Sequence, residues 1–138
     1  MKRNASLALI EQVIMLLILI MAAALCLQAF VWSDQQSLYY EERDRGIVEL
    51  QSTAEILKAH DGDFFAAAES YGGTATQTQW VLNFDENWNI IDTAGVYQIC
   101  ATAVESDTNY LGSATLTVRR TEGDALAQLT VSWQEVAP

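Results

Sequence analysis

An excess of acid limits what this chain of 138 residues can bind, because eighteen Asp or Glu oppose seven Lys or Arg and give a formal net charge of −11 at pH 7. Nucleic-acid-binding domains need basic patches, so the composition argues against a nucleic-acid partner, and it also opposes binding to anionic lipid headgroups. Only two cysteines are present, one in an apolar run and one in a strand-like run, which predicts no disulfide framework.

The N-terminus is the most apolar part of the chain. Fifteen unbroken apolar residues run from Val13 to Leu27. As a helix, residues 7–32 would extend about 39 Å, which exceeds the roughly 30 Å thickness of a bilayer's hydrocarbon core. Lys2 and Arg3 precede this run, and positive residues favour the cytoplasmic side. We therefore predict a basic leader at 1–6, a transmembrane helix at 7–32, and a single-pass protein with its C-terminal part outside.

One acid, Glu11, interrupts this apolar segment near its start. A carboxylate costs roughly 2.5–3.5 kcal/mol at the bilayer centre, so an acid inside a membrane segment is by default functional, with a partner to be named. Two alternatives give Glu11 no such role. The segment could be a cleaved secretory signal, or a plain signal anchor in which Glu11 is a first-turn acid facing the positive end of the helix dipole.

The run from Ser6 to Glu11, Ser-Leu-Ala-Leu-Ile-Glu, resembles the class III signal of type IV pilins and pseudopilins. That signal has a short basic leader, a small residue, and an apolar mature start with glutamate at its fifth position. The resemblance is close over residues 1–32, although the family usually has glycine where Ser6 stands and phenylalanine or methionine where Leu7 stands. It implies cleavage by a prepilin peptidase between Ser6 and Leu7, which makes Glu11 the fifth mature residue.

The resemblance also implies a function. Mature pilin-like subunits leave the membrane and assemble through their N-terminal helices into a type IV pilus, or into a pseudopilus for secretion or DNA uptake. In the family, the new amine of one subunit is thought to meet the glutamate of its neighbour. The expected partners are therefore other pilin-like subunits, the peptidase and the membrane, and the expected location is a cell-surface filament or pseudopilus.

Beyond the membrane segment, the pattern predicts one more stretch of helix and a loop. Apolar or small residues recur at helical spacing within residues 33–60, which predicts an amphipathic helix with one core face. Residues 61–79 are predicted to connect this helix to a set of strands, with Asp63 capping a short helical turn. The residues of the predicted core face are Tyr40, Ile47, Leu50, Ala54 and Leu57.

From Trp80 the apolar period changes to two, which is typical of half-buried strands. Such runs succeed one another to the end of the chain, separated by turn signals that include residues 106–109. We predict an antiparallel β-meander over 80–138. Packed against the long helix it gives an α+β domain, which is also the pilin-like architecture that the resemblance implies.

No motif indicates an enzyme. The one histidine, His60, is predicted to have a local role at a helix end, and no Cys/His cluster has metal-ligand spacing. We therefore predict neither catalytic residues, nor a cofactor, nor a metal. The pair Arg119–Arg120 is a local positive spot for which a strand-end salt bridge is predicted, the alternative being pairing with acids of a neighbouring subunit. The alternative function is a signal-anchored extracellular binding domain that does not polymerise.

Overall fold

The computed structural model describes residues 2–105 and 110–135. It contains a long N-terminal helix and a six-stranded antiparallel sheet, which confirms the predicted α+β class. The predicted turn at 106–109, together with Met1 and residues 136–138, lies outside the described residues. The elements are α1 (Lys2–Ala59), α2 (Phe64–Tyr71), β1 (Thr74–Ala75), β2 (Gln79–Phe84), β3 (Ile90–Ile91), β4 (Tyr97–Val104), β5 (Leu111–Arg120) and β6 (Ala125–Gln134).

Contacts divide the chain into two compact units, and the first of them ends at Glu41. This unit is the N-terminal part of α1. No proline or glycine occurs before Gly46, and the leucine, methionine, alanine and glutamine that fill the segment are good helix formers. Every side chain from residue 3 to residue 35 is exposed, so the helix buries no face within this unit.

The second unit begins at Glu42 and holds the rest of α1 together with α2 and the sheet. Here α1 buries one face, formed by Leu50, Thr53, Ala54 and Leu57 at helical spacing. Gly46 does not break the helix. A Cβ on Gly46 would lie 3.2 Å from the Trp88 ring, so the missing side chain allows a close approach.

The predicted core face is wrong at its N-terminal end. Tyr40 belongs to the first unit, and its side chain is 48 % exposed. Its ring meets Tyr39 edge-on, and its hydroxyl accepts a hydrogen bond from Gln36. Tyr40 has the right spacing for the face, but it lies before the point where α1 reaches the sheet.

The segment predicted as a connecting loop, residues 61–79, contains α2 and β1. Positive φ angles at Asp61 (51°) and Gly62 (80°) turn the chain out of α1. Asp63 then caps α2 as predicted, because its carboxylate accepts hydrogen bonds from the backbone N–H groups of Phe65 and Ala66.

The four long strands form the predicted meander, since β2, β4, β5 and β6 are successive antiparallel neighbours. The short strands β1 and β3 both pair with β2, with Thr74 opposite Val81 and Ile91 opposite Asn83. Antiparallel sheets of this kind bury one face and expose the other to solvent. The buried side chains contributed by the sheet include Trp80, Leu82, Phe84, Ile99, Ala114, Leu116 and Val118.

Strand β6 carries an irregularity that adds a residue to the core. Val118 pairs with Ala127 and Arg119 pairs with Ala125, so Leu126 has no residue directly opposite. Leu126 is nevertheless buried at 7 % exposure. The period-two alternation predicted beyond Trp80 is present in β6, with Val131 buried and Leu129 half-buried between the exposed Gln128, Thr130 and Ser132.

Both cysteines are free, as the sequence predicts. Cys26 is exposed on α1. Cys100 lies in β4, where its Sγ accepts a hydrogen bond from the Gln79 side-chain amide at 2.7 Å. No disulfide therefore contributes to the stability of the second unit, whose one cysteine is Cys100.

A fragment of residues 33–138 is expected to fold without the apolar segment, because its core lies within the second unit. We expect one cooperative thermal transition with mixed helix and strand circular dichroism. Light scattering should report a monomer, since the acidic surface opposes association. A molten or strongly oligomeric fragment would contradict this helix and sheet assignment.

Candidate functional site

The predicted processing and assembly residues all lie on the first unit's helix. Ser6, Leu7 and Glu11 are exposed, Leu7 at 63 %. Leu7 and Glu11 are four residues apart, so their side chains are neighbours on one helix face. The helix thus brings the predicted mature N-terminus within one turn of the predicted assembly acid.

Beyond Gln12 this helix is apolar on all sides as far as Leu27. An 18-residue window of this helix has a mean hydropathy of 2.8 and no buried residue. A helix that is apolar all round belongs in lipid or among other helices rather than in water. This part of α1 is therefore a candidate membrane span.

Glu11 has no charge partner in the part of the chain that the structure describes. The one ion pair among residues 3–105 and 110–135 joins Glu42 to Arg120. A carboxylate in an apolar setting is strongly disfavoured without an opposite charge.

A second polar cluster, of which the sequence predicted only a salt bridge at Arg120, fastens α1 to the sheet inside the second unit. Glu42 accepts hydrogen bonds from the Tyr97 hydroxyl, at 3.0 Å, and from the Arg120 guanidinium. The ring of Trp88 stacks on Tyr97 with centroids 4.0 Å apart and planes 9° from parallel. The cluster links α1, β4 and β5, so its role is structural.

The electrostatics of this cluster result from its contacts. Burial, and then the hydrogen bond to Glu42, raise the pKa of the Tyr97 phenol above its ordinary 10.0. The hydrogen bond to Glu42 also raises the pKa of the Arg120 guanidinium. The predicted strand-end salt bridge is confirmed for Arg120, whereas Arg119 donates to the Gln98 side-chain oxygen at 2.8 Å.

Other chemistry-bearing side chains have local roles. His60 lies at the end of α1, with its Nε2 2.9 Å from the Ser70 hydroxyl. The Asp85 carboxylate accepts hydrogen bonds from the backbone N–H groups of Asn87 and Asn89, which closes the turn after β2. Among residues 2–105 and 110–135, no group of three or more His, Cys, Asp or Glu could hold a metal ion.

The raised pKa of Tyr97 predicts how stability depends on alkaline pH. Below pH 10.0 the phenol is protonated in both the folded and unfolded chains, so its contribution is fully present. Above that value the unfolded chain ionises first, and the free energy of unfolding falls as pH rises through the folded pKa. Tyr71, whose pKa is also raised, acts in the same direction.

Urea titrations at about pH 8 and about pH 11 measure this effect. Tyr97→Phe should lose less stability over that interval than the unaltered chain does. Tyr110→Phe is the matched control, because Tyr110 is 65 % exposed. An identical alkaline loss in the Tyr97→Phe and unaltered chains would contradict the prediction.

Comparison with known proteins supplies no relative from which a function can be transferred. No family model, curated protein or solved structure matches the chain.

Proposed function

We propose that this chain is a structural, pilin-like subunit that is inserted in the membrane, trimmed by a prepilin peptidase and packed into a type IV pilus or pseudopilus through its N-terminal helix. The observation that carries the proposal is Glu11, an acid without a described ion-pair partner on an exposed apolar helix. The α+β domain that comes after this helix supports it, because it matches the architecture that the pilin resemblance implies.

The proposed mechanism depends on one charge pair. Cleavage between Ser6 and Leu7 creates a positively charged amine at the start of an apolar helix. In a medium of low dielectric constant this amine and a carboxylate attract strongly. The Glu11 carboxylate of one subunit then pairs with the Leu7 amine of its neighbour, so the pair forms only when the two helices are in register.

Before assembly the chain spans the membrane once, with Lys2 and Arg3 on the cytoplasmic side and the second unit outside. After assembly it forms part of a cell-surface filament or pseudopilus. Its partners are the peptidase, the membrane and other pilin-like subunits, and its role is structural rather than enzymatic.

The N-terminus of the mature protein tests the proposal. The intact mass of the protein from its native host should correspond to a chain that begins at Leu7, with or without N-methylation. The matched control is the same gene in a host without a prepilin peptidase, where residues 1–6 should remain. A native chain that keeps Lys2 and Arg3 would contradict processing and would favour a signal-anchored binding domain that does not polymerise.

A further inference from the structure

The two edges of the sheet differ in length, and the proposed assembly through the N-terminal helix involves neither edge. At one edge, β1 and β3 are two residues long each, and short strands protect a sheet from further pairing. At the other edge, β6 is ten residues long and runs from Ala125 to Gln134. It contains no charged residue or proline, which guard many edge strands, and its one irregularity, at Leu126, lies next to its first residue.

The hydrogen-bond ladder fixes which backbone groups of β6 point outward. Leu111 of β5 lies opposite Gln134 of β6, and the next residues along the two strands are Tyr110 and Glu135. The Glu135 N–H donates a hydrogen bond to the Tyr110 carbonyl at 3.0 Å, so Glu135 faces β5. In an antiparallel ladder, successive residues alternate between facing the partner strand and facing away. The N–H and C=O groups of Gln128, Thr130 and Ser132 therefore point away from β5, and none has a partner among the described hydrogen bonds.

The inward face of β6 is also incompletely covered. Leu129 and Trp133 pack against the core but remain half-buried, whereas Leu116 and Val118 in the neighbouring strand are fully buried. One more strand would place its own inward side chains beside them. Apolar residues at alternate positions of that strand would remove further apolar surface from water.

Charge indicates what kind of strand fits. The uncharged strand lies between Asp124 and Glu135. If two copies paired through β6 in antiparallel register, Asp124 of each would lie opposite Glu135 of the other, and parallel pairing would also oppose like acids. Like charges directly opposite one another are destabilising, so a second copy is disfavoured. A strand with Lys or Arg at both ends would be attracted instead.

We propose that the β6 edge binds an extended segment of another protein by β-strand addition. The segment has an uncharged middle with apolar residues at alternate positions, and basic residues at both ends. Backbone hydrogen bonds to Gln128, Thr130 and Ser132 supply the binding energy, and the flanking charges select the ligand. This surface lies outside the apolar segment of α1 and needs neither processing nor filament assembly.

The probe is a synthetic peptide of about ten residues, the length of a strand that reaches both flanking acids, with alternating threonine and valine and a lysine at each end. The full chain is kept in detergent micelles, and binding is monitored by fluorescence anisotropy of the labelled peptide. Hydrogen exchange should slow at the backbone amides of Gln128, Thr130 and Ser132 when the peptide binds. The same peptide with glutamate at each end should bind at least about tenfold more weakly, since like charges then meet.

Thr130→Pro is the decisive variant, and Thr130→Val is its matched control. Proline is tolerated at an edge position whose N–H faces solvent, and here it removes one outward N–H group and obstructs an added strand. Thr130→Val loses the same hydroxyl but keeps the N–H. We expect Thr130→Val to bind like the unaltered chain, and Thr130→Pro to bind at least about tenfold more weakly.

A second comparison does not depend on the folding of the proline variant. A lysine-ended peptide that is N-methylated at alternate residues has no N–H groups to donate along the edge that would face β6. It should therefore neither bind the unaltered chain nor slow hydrogen exchange at the amides of Gln128, Thr130 and Ser132. The proposal would be overturned if the N-methylated peptide bound as tightly as the unmethylated lysine-ended peptide, or if the two Thr130 variants bound that peptide equally. It would also be overturned if the lysine-ended peptide did not bind the unaltered chain.

Discussion

Subunits that carry Glu11→Ala are expected to accumulate in the membrane, processed and folded, yet to be absent from filaments. The substitution removes a charge from lipid, so insertion should be unchanged or easier. The second unit, which holds the folded core, does not include this residue. In the proposed assembly, the neighbour's amine loses its partner, and breaking a buried pair from one side costs roughly 3–5 kcal/mol. That is roughly a hundredfold or more at each subunit contact.

The measurement is the distribution of the subunit between sheared filaments and the membrane fraction, read by immunoblot. Gln12→Ala is the matched control, because it removes a neighbouring polar side chain from the same segment without removing a charge. Incorporation of Glu11→Ala at the unaltered level would reduce Glu11 to a first-turn helix acid. A chain that forms no filaments even when unaltered would instead refute the proposed function itself.

Gly112→Ala is expected to destabilise the second unit. Gly112 lies opposite Trp133 across β5 and β6, and a Cβ there would be 2.2 Å from the indole Nε1. The same indole also meets Gly62, where a Cβ would lie 2.1 Å from the ring. The ring therefore contacts two glycines, neither of which leaves room for a side chain. Forced overpacking of this kind typically costs about 1–3 kcal/mol.

Urea denaturation of the 33–138 fragment measures the effect, with tryptophan fluorescence as the probe. Gly123→Ala is the matched control, because a Cβ there would meet only the Arg120 side chain, at 3.2 Å and beyond. Its effect should stay within about 0.5 kcal/mol. Trp133→Phe should rescue part of the Gly112→Ala loss, since it shrinks the ring and removes a buried N–H without a hydrogen-bond partner. Equal stability of the two alanine variants would contradict the close contact.

Much of this fold is predictable because burial leaves a periodic trace in the sequence. Trp80, Leu82 and Phe84 alternate with less buried residues, and the structure buries all three. Periodicity fails for β1 and β3, because a strand of two residues is too short to show a period. It also misplaces Tyr40, since spacing along a helix does not reveal where the helix meets another element.

The contacts that set the fine structure of the second unit are less accessible to sequence reasoning. Glu42 and Arg120 are 78 residues apart, so their pairing depends on the register of the sheet. Trp88 has a φ of 63°, which no local motif signals for a bulky residue. Glu11, in contrast, is noticeable from sequence alone, because a charge stands out within an apolar run. Its partner remains a prediction, since it would belong to a second molecule.

The free thiols of Cys26 and Cys100 have a consequence for how the protein is made. Without a disulfide between them, unfolding includes no contribution from a covalently closed loop. The equilibrium between the folded and unfolded chain should therefore be insensitive to reductant, and no oxidation step limits how quickly the domain folds. The same fold is accessible in a reducing cytoplasm and in an oxidising exterior.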